Sequence, residues 1–335
     1  MALHQAVQKV LLLGADLTTK PAPPAPEPPA RLKPLIDSLA AEHRSHDAVA
    51  IAYGHRYRSG FWSIYLLSAL AVFCAMMPLA LGWDSRSSAW HPLAPAWVVS
   101  EIVVIAAVAF IYWRGHKGGW QGQWLRARTS AELVTYLPLV APLVDWSRDD
   151  RASWYSRALT PAVAAPAEIE DLCRANETQA HAALSGAWTD AAFTSAYSTW
   201  AAGVLEAQQA YHERVARWNQ VLRHRIHAIT TTLFALTAVA ALAHLAVHSR
   251  ALSLVTTVFP ALAAALHGAL AQSECYRLEV ASERVVAELA RYIGEIRSAH
   301  DVAALQGAVR GAIVLLLQEH QDWTMLVKPH HLPLG

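Results

Sequence analysis

The stretch FWSIYLLSALAVFCAMMPLAL, residues 61–81, contains no Asp, Glu, Lys or Arg. Three stretches of similar length and composition follow at residues 95–113, 226–246 and 251–271, and Glu101 is the one acidic or basic side chain in the four. An α-helix of about 20 residues crosses the ~30 Å hydrocarbon core of a bilayer, because each residue advances the helix by ~1.5 Å. The sequence therefore predicts an all-α membrane protein with four transmembrane helices in two hairpins.

Basic residues are distributed unevenly around these stretches. Of the 27 Lys and Arg residues, all but Arg86 and Arg250 lie in residues 1–60, 114–225 and 272–335. Segments rich in Lys and Arg stay on the cytoplasmic side of a membrane. We therefore expect a multi-pass protein of the inner (plasma) membrane, with both termini and the long middle segment in the cytoplasm.

Composition also argues against several functional classes. The net charge is +1 and no basic stripe is present, which disfavours nucleic acid as the partner and leaves the lipid bilayer. The sequence has no glycine-rich phosphate loop, no GxSxG, no HExxH and no pair of carboxylates in a catalytic setting. We expect no enzymatic activity, no metal and no cofactor.

Five segments are expected along the chain. A mobile N-terminus with a proline-rich linker covers residues 1–34, and the first hairpin with flanking cytosolic helices covers residues 35–145. A cytosolic helical or coiled-coil segment covers residues 146–225, and the second hairpin with its exit helix covers residues 226–300. Residues 301–335 are expected to form a cytosolic helix and tail, whose apolar run is too short to cross a membrane.

An apolar stripe precedes the third stretch. Apolar side chains recur every three or four residues from position 193 onward, which predicts a helix of about 35 residues that continues into the stretch. Its large aromatic members are Tyr197, Trp200, Tyr211 and Trp218. Such a surface favours a helical partner, either in the same chain or in another copy, and makes these residues candidates for an oligomer or packing interface.

Glu101 is the sharpest single candidate for function. It lies six positions into the second stretch from the outer side, roughly 9 Å deep at ~1.5 Å per residue. A carboxylate inside a membrane is costly unless it faces water, pairs or becomes protonated. Glu101 is therefore either a pore-lining residue or a hydrated carboxylate near the interface.

Polar and small side chains give the second hairpin a distinct character. Its threonines add four candidate pore-lining residues, which are Thr230, Thr237, Thr256 and Thr257. Small residues at a spacing of three or four let helices approach closely. They add three candidate interface residues, which are Ala261, Ala265 and Gly268. Ordinary helix packing is the alternative explanation for each group.

His227 and His267 lie near the inner ends of the third and fourth stretches. A bis-histidine haem site needs imidazoles from two helices at the same level, so these residues keep a haem-binding electron carrier open as an alternative. The competing interpretation is that both are interfacial histidines on an alanine-rich hairpin.

The two halves of the chain share an order of features. Each half has a basic entry, two apolar stretches joined by a short turn, and an exit helix rich in Arg, Ala, Glu and Leu. The halves are either parallel repeats or two unrelated hairpins that obey the same membrane rules.

Parts of the sequence resemble a known protein family. Residues 50–81, AIAYGHRYRSGFWSIYLLSALAVFCAMMPLAL, lead through a second stretch to residues 120–136, WQGQWLRARTSAELVTY. This combination resembles the SMODS- and SLOG-associating (SLATT-like) transmembrane effector modules of prokaryotic nucleotide-signalled defence systems, here as a four-pass version. Residues 277–289 are similar to the same exit helix. The resemblance implies a pore-forming effector that a cytosolic nucleotide sensor triggers.

No sensor domain is recognisable beside these segments, so the trigger is either a separate sensor protein with a cyclic-nucleotide-type signal or the cytosolic helices themselves. We expect a homo-oligomeric pore-forming or ion-conducting effector, and the resemblance implies a role in anti-phage defence. The alternatives are a non-conducting membrane anchor or scaffold that recruits cytosolic partners, and the haem-binding electron carrier.

Overall fold

The structure, a computed structural model, describes residues 2–19, 21, 24, 26–147, 153–159, 166–328 and 332–333. This part of the chain is helical and contains no strand. The α-helices are α1 (Leu3–Leu11), α2 (Lys33–Leu81), α3 (Ala94–Lys117), α4 (Trp120–Val140), α5 (Trp154–Leu159), α6 (Ala167–Ala175), α7 (Glu177–Leu184), α8 (Ala191–Ala246), α9 (Arg250–Gln272), α10 (Cys275–Arg297) and α11 (Val302–Val327). The all-helical fold class predicted from the sequence is confirmed.

Helices α2 and α8 organise the molecule because each is a single uninterrupted helix that joins an apolar stretch to a more polar one. The carboxylate of Asp190 caps the start of α8 by accepting hydrogen bonds from the N–H groups of Ala192 and Phe193. At the end of α2, Gly82 takes a left-handed conformation (φ 70°), and the N–H of Trp83 donates to the carbonyl of Pro78.

Five helical segments in the described part of the chain are long and apolar enough to cross a membrane. They are Lys33–Leu81, His91–Lys117, Ala191–Ala246, Arg250–Arg297 and Val302–Val327. Four of them contain the four stretches found in the sequence.

The fifth segment is α11. From the sequence, we expected the apolar run within this helix to be too short to cross a membrane. It meets the length requirement, with a mean hydropathy of 1.3 in its most apolar window. Its apolar side chains are nevertheless packed inside the protein, with Val309, Ile313 and Leu317 at 0–1% exposure. Length and composition alone therefore do not distinguish α11 from the other four.

The four stretches lie side by side in one layer, in the order α3, α2, α9, α8. We call this the apolar layer. Helix α2 packs against both α3 and α9, and α8 packs against α9, so α3 and α8 form the two edges. The two short connections meet at one end of the layer, where Gly82 approaches the guanidinium of Arg250.

The helical body lies at the other end and comprises residues 33–60 of α2, residues 191–225 of α8, and helices α4 to α7, α10 and α11. The aromatic stripe of α8 begins inside its core: Tyr197 is fully buried and Trp200 is 7% exposed. The Tyr197 hydroxyl donates to the Leu139 carbonyl at 2.7 Å, which satisfies its polar end. This part of the stripe therefore packs within one chain and is not available to another copy.

The N-terminal segment, expected to be mobile, forms α1 and packs against α2 and α8. His4 is buried there, at 4% exposure. Pro26, in the proline-rich linker, lies against Gly203 of α8. Parts of this linker lie outside the described residues.

The two halves of the chain have the same architecture. Helices α2, α3 and α4 correspond to α8, α9 and α10, and in each set the exit helix packs back on the entry helix. The exit helices begin after residues of nearly identical left-handed conformation, Gly119 (φ 56°) and Glu274 (φ 51°). Glu274 is the one non-glycine residue with positive φ in the described part of the chain, where such a conformation is uncommon.

Burial along the exit helices follows the same register. Counted from Gly119 and from Glu274, equivalent buried positions fall five, eight, eleven, fifteen and nineteen residues later. These pairs are Trp124 and Glu279, Ala127 and Ser282, Ser130 and Val285, Val134 and Leu289, and Pro138 and Ile293. The shared left-handed residue and the shared burial pattern favour a repeat over two unrelated hairpins.

We predict that the contact between the repeats is sensitive to added volume at Gly268. A Cβ at this position would lie 2.4 Å from Tyr65 of α2, whereas a Cβ at Gly294 of α10 meets nothing within 4 Å. Gly268→Ala should destabilise the protein by ~1–2 kcal/mol through overpacking. The matched Gly294→Ala should stabilise it by ~0.5–1 kcal/mol, since alanine is the better helix former. Thermal unfolding in detergent measures both, and equal effects would contradict the close approach.

Candidate functional site

A cavity of about 620 Å³ lies in the helical body next to the apolar layer. It is bounded by α1, α2, α4, α8, α10 and α11, so both repeats contribute to its wall. Small-molecule sites typically have volumes of ~300–1,000 Å³ and combine apolar walls with a few polar groups. The cavity has this size and composition, and its polar groups fall into three sets.

The first set is an acid–base cluster on α4 and α11. The guanidinium of Arg128 forms ion pairs with Glu132 and, at 3.8 Å, with Asp47 of α2. Burial, together with the neighbouring carboxylates Glu132 and Asp322, raises the pKa of Glu319 to about 7 against the attraction of Arg128. Glu319 is therefore only partly ionised near neutral pH.

The second set is a pair of buried histidines. Burial lowers the pKa of His212 and of His320 to about 4, and the charge of Arg128 acts in the same direction. Each imidazole has a hydroxyl neighbour: Thr129 lies 2.9 Å from His320 Nε2, and Ser282 lies 3.4 Å from His212 Nδ1. Both rings are neutral at pH 7 and contribute hydrogen-bonding capacity without charge.

The third set surrounds Arg58 of α2. Its guanidinium lies over the Trp124 ring at 5.3 Å from the ring centre. Within the described part of the chain no carboxylate pairs with it, and its Nε is buried without a hydrogen-bond partner. Burial lowers the pKa of Arg58 from its ordinary value, with Arg128 adding to the effect and Tyr211 opposing it. Nearby, the Nδ1 atom of His55 is also buried without a partner.

The second repeat shows a different arrangement at the equivalent place. Arg223 lies three residues before the third apolar stretch, as Arg58 lies three residues before the first. The Nε and a terminal nitrogen of Arg223 each donate to one carboxylate oxygen of Glu279 at 2.9 Å. Glu279 occupies the position that Trp124 has in the first repeat, five residues after the left-handed residue.

The predicted pore-lining residues do not converge in one chain. Glu101 is half-buried on the face of α3 that carries the buried Val108 and Gly115 and packs against α2. Thr230 and Thr237 lie on α8, at the opposite edge of the apolar layer. Helices α2 and α9 separate the two groups within a chain, and the role of these residues as the lining of an oligomeric pore stays a prediction.

The four threonine hydroxyls form the same kind of hydrogen bond. Each donates to a carbonyl one turn earlier in its own helix, at 2.8–3.1 Å. The small residues of α9 act in helix packing: Ala265 is buried, Ala261 is half-buried, and Gly268 lies against Tyr65. The other two aromatic candidates line the cavity, namely Tyr211 and Trp218.

His227 and His267 do come together, with ring centres 5.7 Å apart. Both side chains are exposed, so they are not enclosed as axial haem ligands usually are. No group of three or more His, Cys, Asp or Glu side chains suited to a metal ion occurs among the described residues. The haem alternative is thus supported by proximity alone.

Comparisons with known proteins add no relative. No family model matches this chain, and neither the curated proteins nor the solved structures contain a match. The resemblance to SLATT-like modules accordingly stays a prediction.

Sequence patterns alone did not indicate Arg58, Arg128 and Glu319 as members of a site. They are far apart along the chain, and only the packing of α2, α4 and α11 brings them to one cavity. A signal was present in the basic entries of the two halves, because Arg58 and Arg223 precede their apolar stretches by the same distance. The difference between Trp124 and Glu279 becomes meaningful only when the exit helices are aligned by structure.

We predict a pH-dependent effect of Glu319→Gln. The pKa of Glu319 is raised from 4.5 to about 7 on folding, so the ionised form is disfavoured in the folded state. Stability is therefore lost as the pH rises from about 4.5 through about 7. The Tm of Glu319→Gln minus that of the wild type should be small at pH 5 and clearly positive at pH 8.

The difference between the two proteins isolates Glu319, since the buried histidines are common to both. Glu283→Gln, which removes an exposed carboxylate of α10, is the control for a general charge effect. A Tm difference that is constant between pH 5 and pH 8 would contradict the raised pKa of Glu319.

Proposed function

We propose that this chain is a four-pass integral membrane protein that assembles into homo-oligomers and acts as an ion-conducting effector. The arrangement of the apolar layer is the observation that carries the proposal. Its four stretches lie side by side with neighbours antiparallel, both short connections meet at one end, and the helical body lies at the other. Together with the distribution of Lys and Arg, this supports a cytosolic body and short external turns.

A single chain does not enclose a path, since the layer is open at both edges. The outward face of α3 exposes Val99, Ile102 and Val103 by 58–60%, and that of α8 exposes Val239 and Leu242 by 63–68%. Apolar surface of this extent needs lipid or another protein to cover it. An ion path therefore requires several copies of the chain.

The repeat suggests how the copies associate. Within one chain, the entry helix of the first repeat (α2) packs against the second stretch of the other repeat (α9). Repetition of this contact places α8 of one copy against α3 of the next, and these are the two open edges. A contact between two different surfaces generates a ring when the rotation closes. We propose a head-to-tail ring of this kind.

Conduction distinguishes this proposal from a non-conducting anchor or scaffold, which has the same topology. Glu101 lies on α3, the helix of one edge, on the side that packs against α2, so in a ring each copy contributes one carboxylate at the same depth. A ring of carboxylates concentrates cations at a constriction. The resemblance to SLATT-like modules supports a role in nucleotide-signalled defence.

Cross-linking should detect the head-to-tail contact. Val103→Cys on α3 and Val239→Cys on α8 place exposed thiols near the middle of the two edges. The native cysteines are buried and free and can be replaced in the background protein. We expect a bifunctional maleimide to join the two variants when they are co-expressed, because the α3 edge of one copy meets the α8 edge of the next.

Each variant alone should remain uncoupled, and Val103→Cys with Leu70→Cys of α2 is the control pair, since Leu70 is 42% exposed but lies away from the edge. Self-coupling of either single variant, or no product from the mixed pair, would exclude the head-to-tail arrangement.

Bilayer recordings from purified protein should test conduction and the role of Glu101. We expect cation-preferring conductance in the wild type and a reduced cation preference in Glu101→Gln, because glutamine keeps the shape and removes the charge. Ser100→Ala is the control, since Ser100 is exposed and its hydroxyl bonds to its own helix at Ala96. An assembled protein without conductance supports the scaffold function instead, and an unchanged selectivity places the path away from Glu101.

A further inference from the structure

Arg58 is a half-buried cation that has no carboxylate partner in the described part of the protein. A guanidinium taken out of water is stabilised by a carboxylate, a phosphate or several carbonyl groups. Arg58 has instead a tryptophan ring on one side and an Nε without a partner. Arg58 lines the cavity, so its N–H donors are within reach of a molecule that occupies the cavity.

The second repeat shows which kind of partner this position takes. Arg223 binds Glu279 through two parallel hydrogen bonds, the geometry that a guanidinium offers to a planar oxyanion. In the first repeat Trp124 replaces the carboxylate, and the arginine is retained. The replacement removes an anion that the chain would otherwise supply and adds an aromatic surface beside the guanidinium.

The surroundings of Arg58 hold few negative charges. The Nδ1 atom of His55 is buried without a partner, and burial, followed by the charge of Arg58, lowers the pKa of both His55 and His4. The two carboxylates on the cavity wall belong to the other side of the site, where Glu132 is paired with Arg128. Glu319, beside them, is partly protonated near neutral pH.

We infer that Arg58 binds the oxyanion of a small phosphorylated molecule whose remainder occupies the cavity. A phosphate fits better than a carboxylate because its tetrahedral oxygens accept from several donors at once, whereas the carboxylate of Glu279 already uses both oxygens on one guanidinium. The volume of about 620 Å³ admits a molecule larger than phosphate itself. Tyr57, stacked on Trp124 at 5.4 Å, extends the aromatic wall available to that remainder.

The location suggests a consequence for the apolar layer. Arg58 lies three residues before the first stretch on the same uninterrupted helix, and the opposite wall of the cavity belongs to α8, which continues into the third stretch. A ligand held between α2 and α8 contacts both entry helices. The binding site is independent of whether the protein conducts ions, so failure of one proposal leaves the other testable.

The test compares Arg58→Met with the wild type in ligand binding and in stability. Purified protein in detergent is titrated with inorganic phosphate and with a mononucleotide, and protein in nanodiscs is compared with and without phosphatidylglycerol. We expect a soluble phosphate to raise the Tm of the wild type, and Arg58→Met to bind it about tenfold or more weakly, since charged hydrogen bonds contribute on that scale.

Without ligand, Arg58→Met should be as stable as the wild type or more stable, because it removes a half-buried charge that has no carboxylate partner in the described part of the protein. The equivalent Arg223→Met should lower the Tm, since it leaves Glu279 unpaired at 6% exposure. Arg56→Met is the control for loss of an exposed arginine two residues away.

Each outcome decides the matter. A response to soluble phosphates that depends on Arg58 supports a free ligand, whereas a response to phosphatidylglycerol alone assigns the oxyanion to a lipid headgroup. A marked loss of ligand-free stability in Arg58→Met identifies a structural arginine, and equal binding by wild type and Arg58→Met places the phosphate elsewhere. Either of these last two results overturns the inference.

Discussion

The contact between α2 and α9 is the interaction on which the arrangement of the rest depends. It joins the two repeats where Gly268 lets α9 approach the ring of Tyr65. Because this contact uses the entry helix of one repeat and the second stretch of the other, it leaves α3 and α8 as open edges. It also sets the two entry helices around a shared space in the helical body, which becomes the cavity.

The two repeats carry different chemistry at equivalent positions. Both keep an arginine just before the apolar stretch and a left-handed residue before the exit helix. In the second repeat Glu279 neutralises the arginine, so the two side chains form a structural ion pair. In the first repeat the tryptophan leaves the half-buried cation of Arg58 without a carboxylate, and we have proposed that it serves recognition.

The aromatic stripe of α8 shows why a pattern in sequence does not identify its partner. Periodicity establishes that one face of the helix must be covered, and it is satisfied equally by the same chain or by another copy. In the structure, Tyr197 and Trp200 are covered by the body core, while Tyr211 and Trp218 face the cavity. One continuous stripe therefore serves two purposes.

The sequence by itself determined the helical class, the four apolar stretches and the continuity of α8, because these follow from local hydrophobicity and a period of 3.6 residues. It also indicated the two similar halves. Only the tertiary structure decided the order of helices in the layer, the separation of Glu101 from the threonines, and the meeting of Arg58, Arg128 and Glu319. Those features depend on contacts between distant segments, and the energy of burying a charge is defined only once its neighbours are in place.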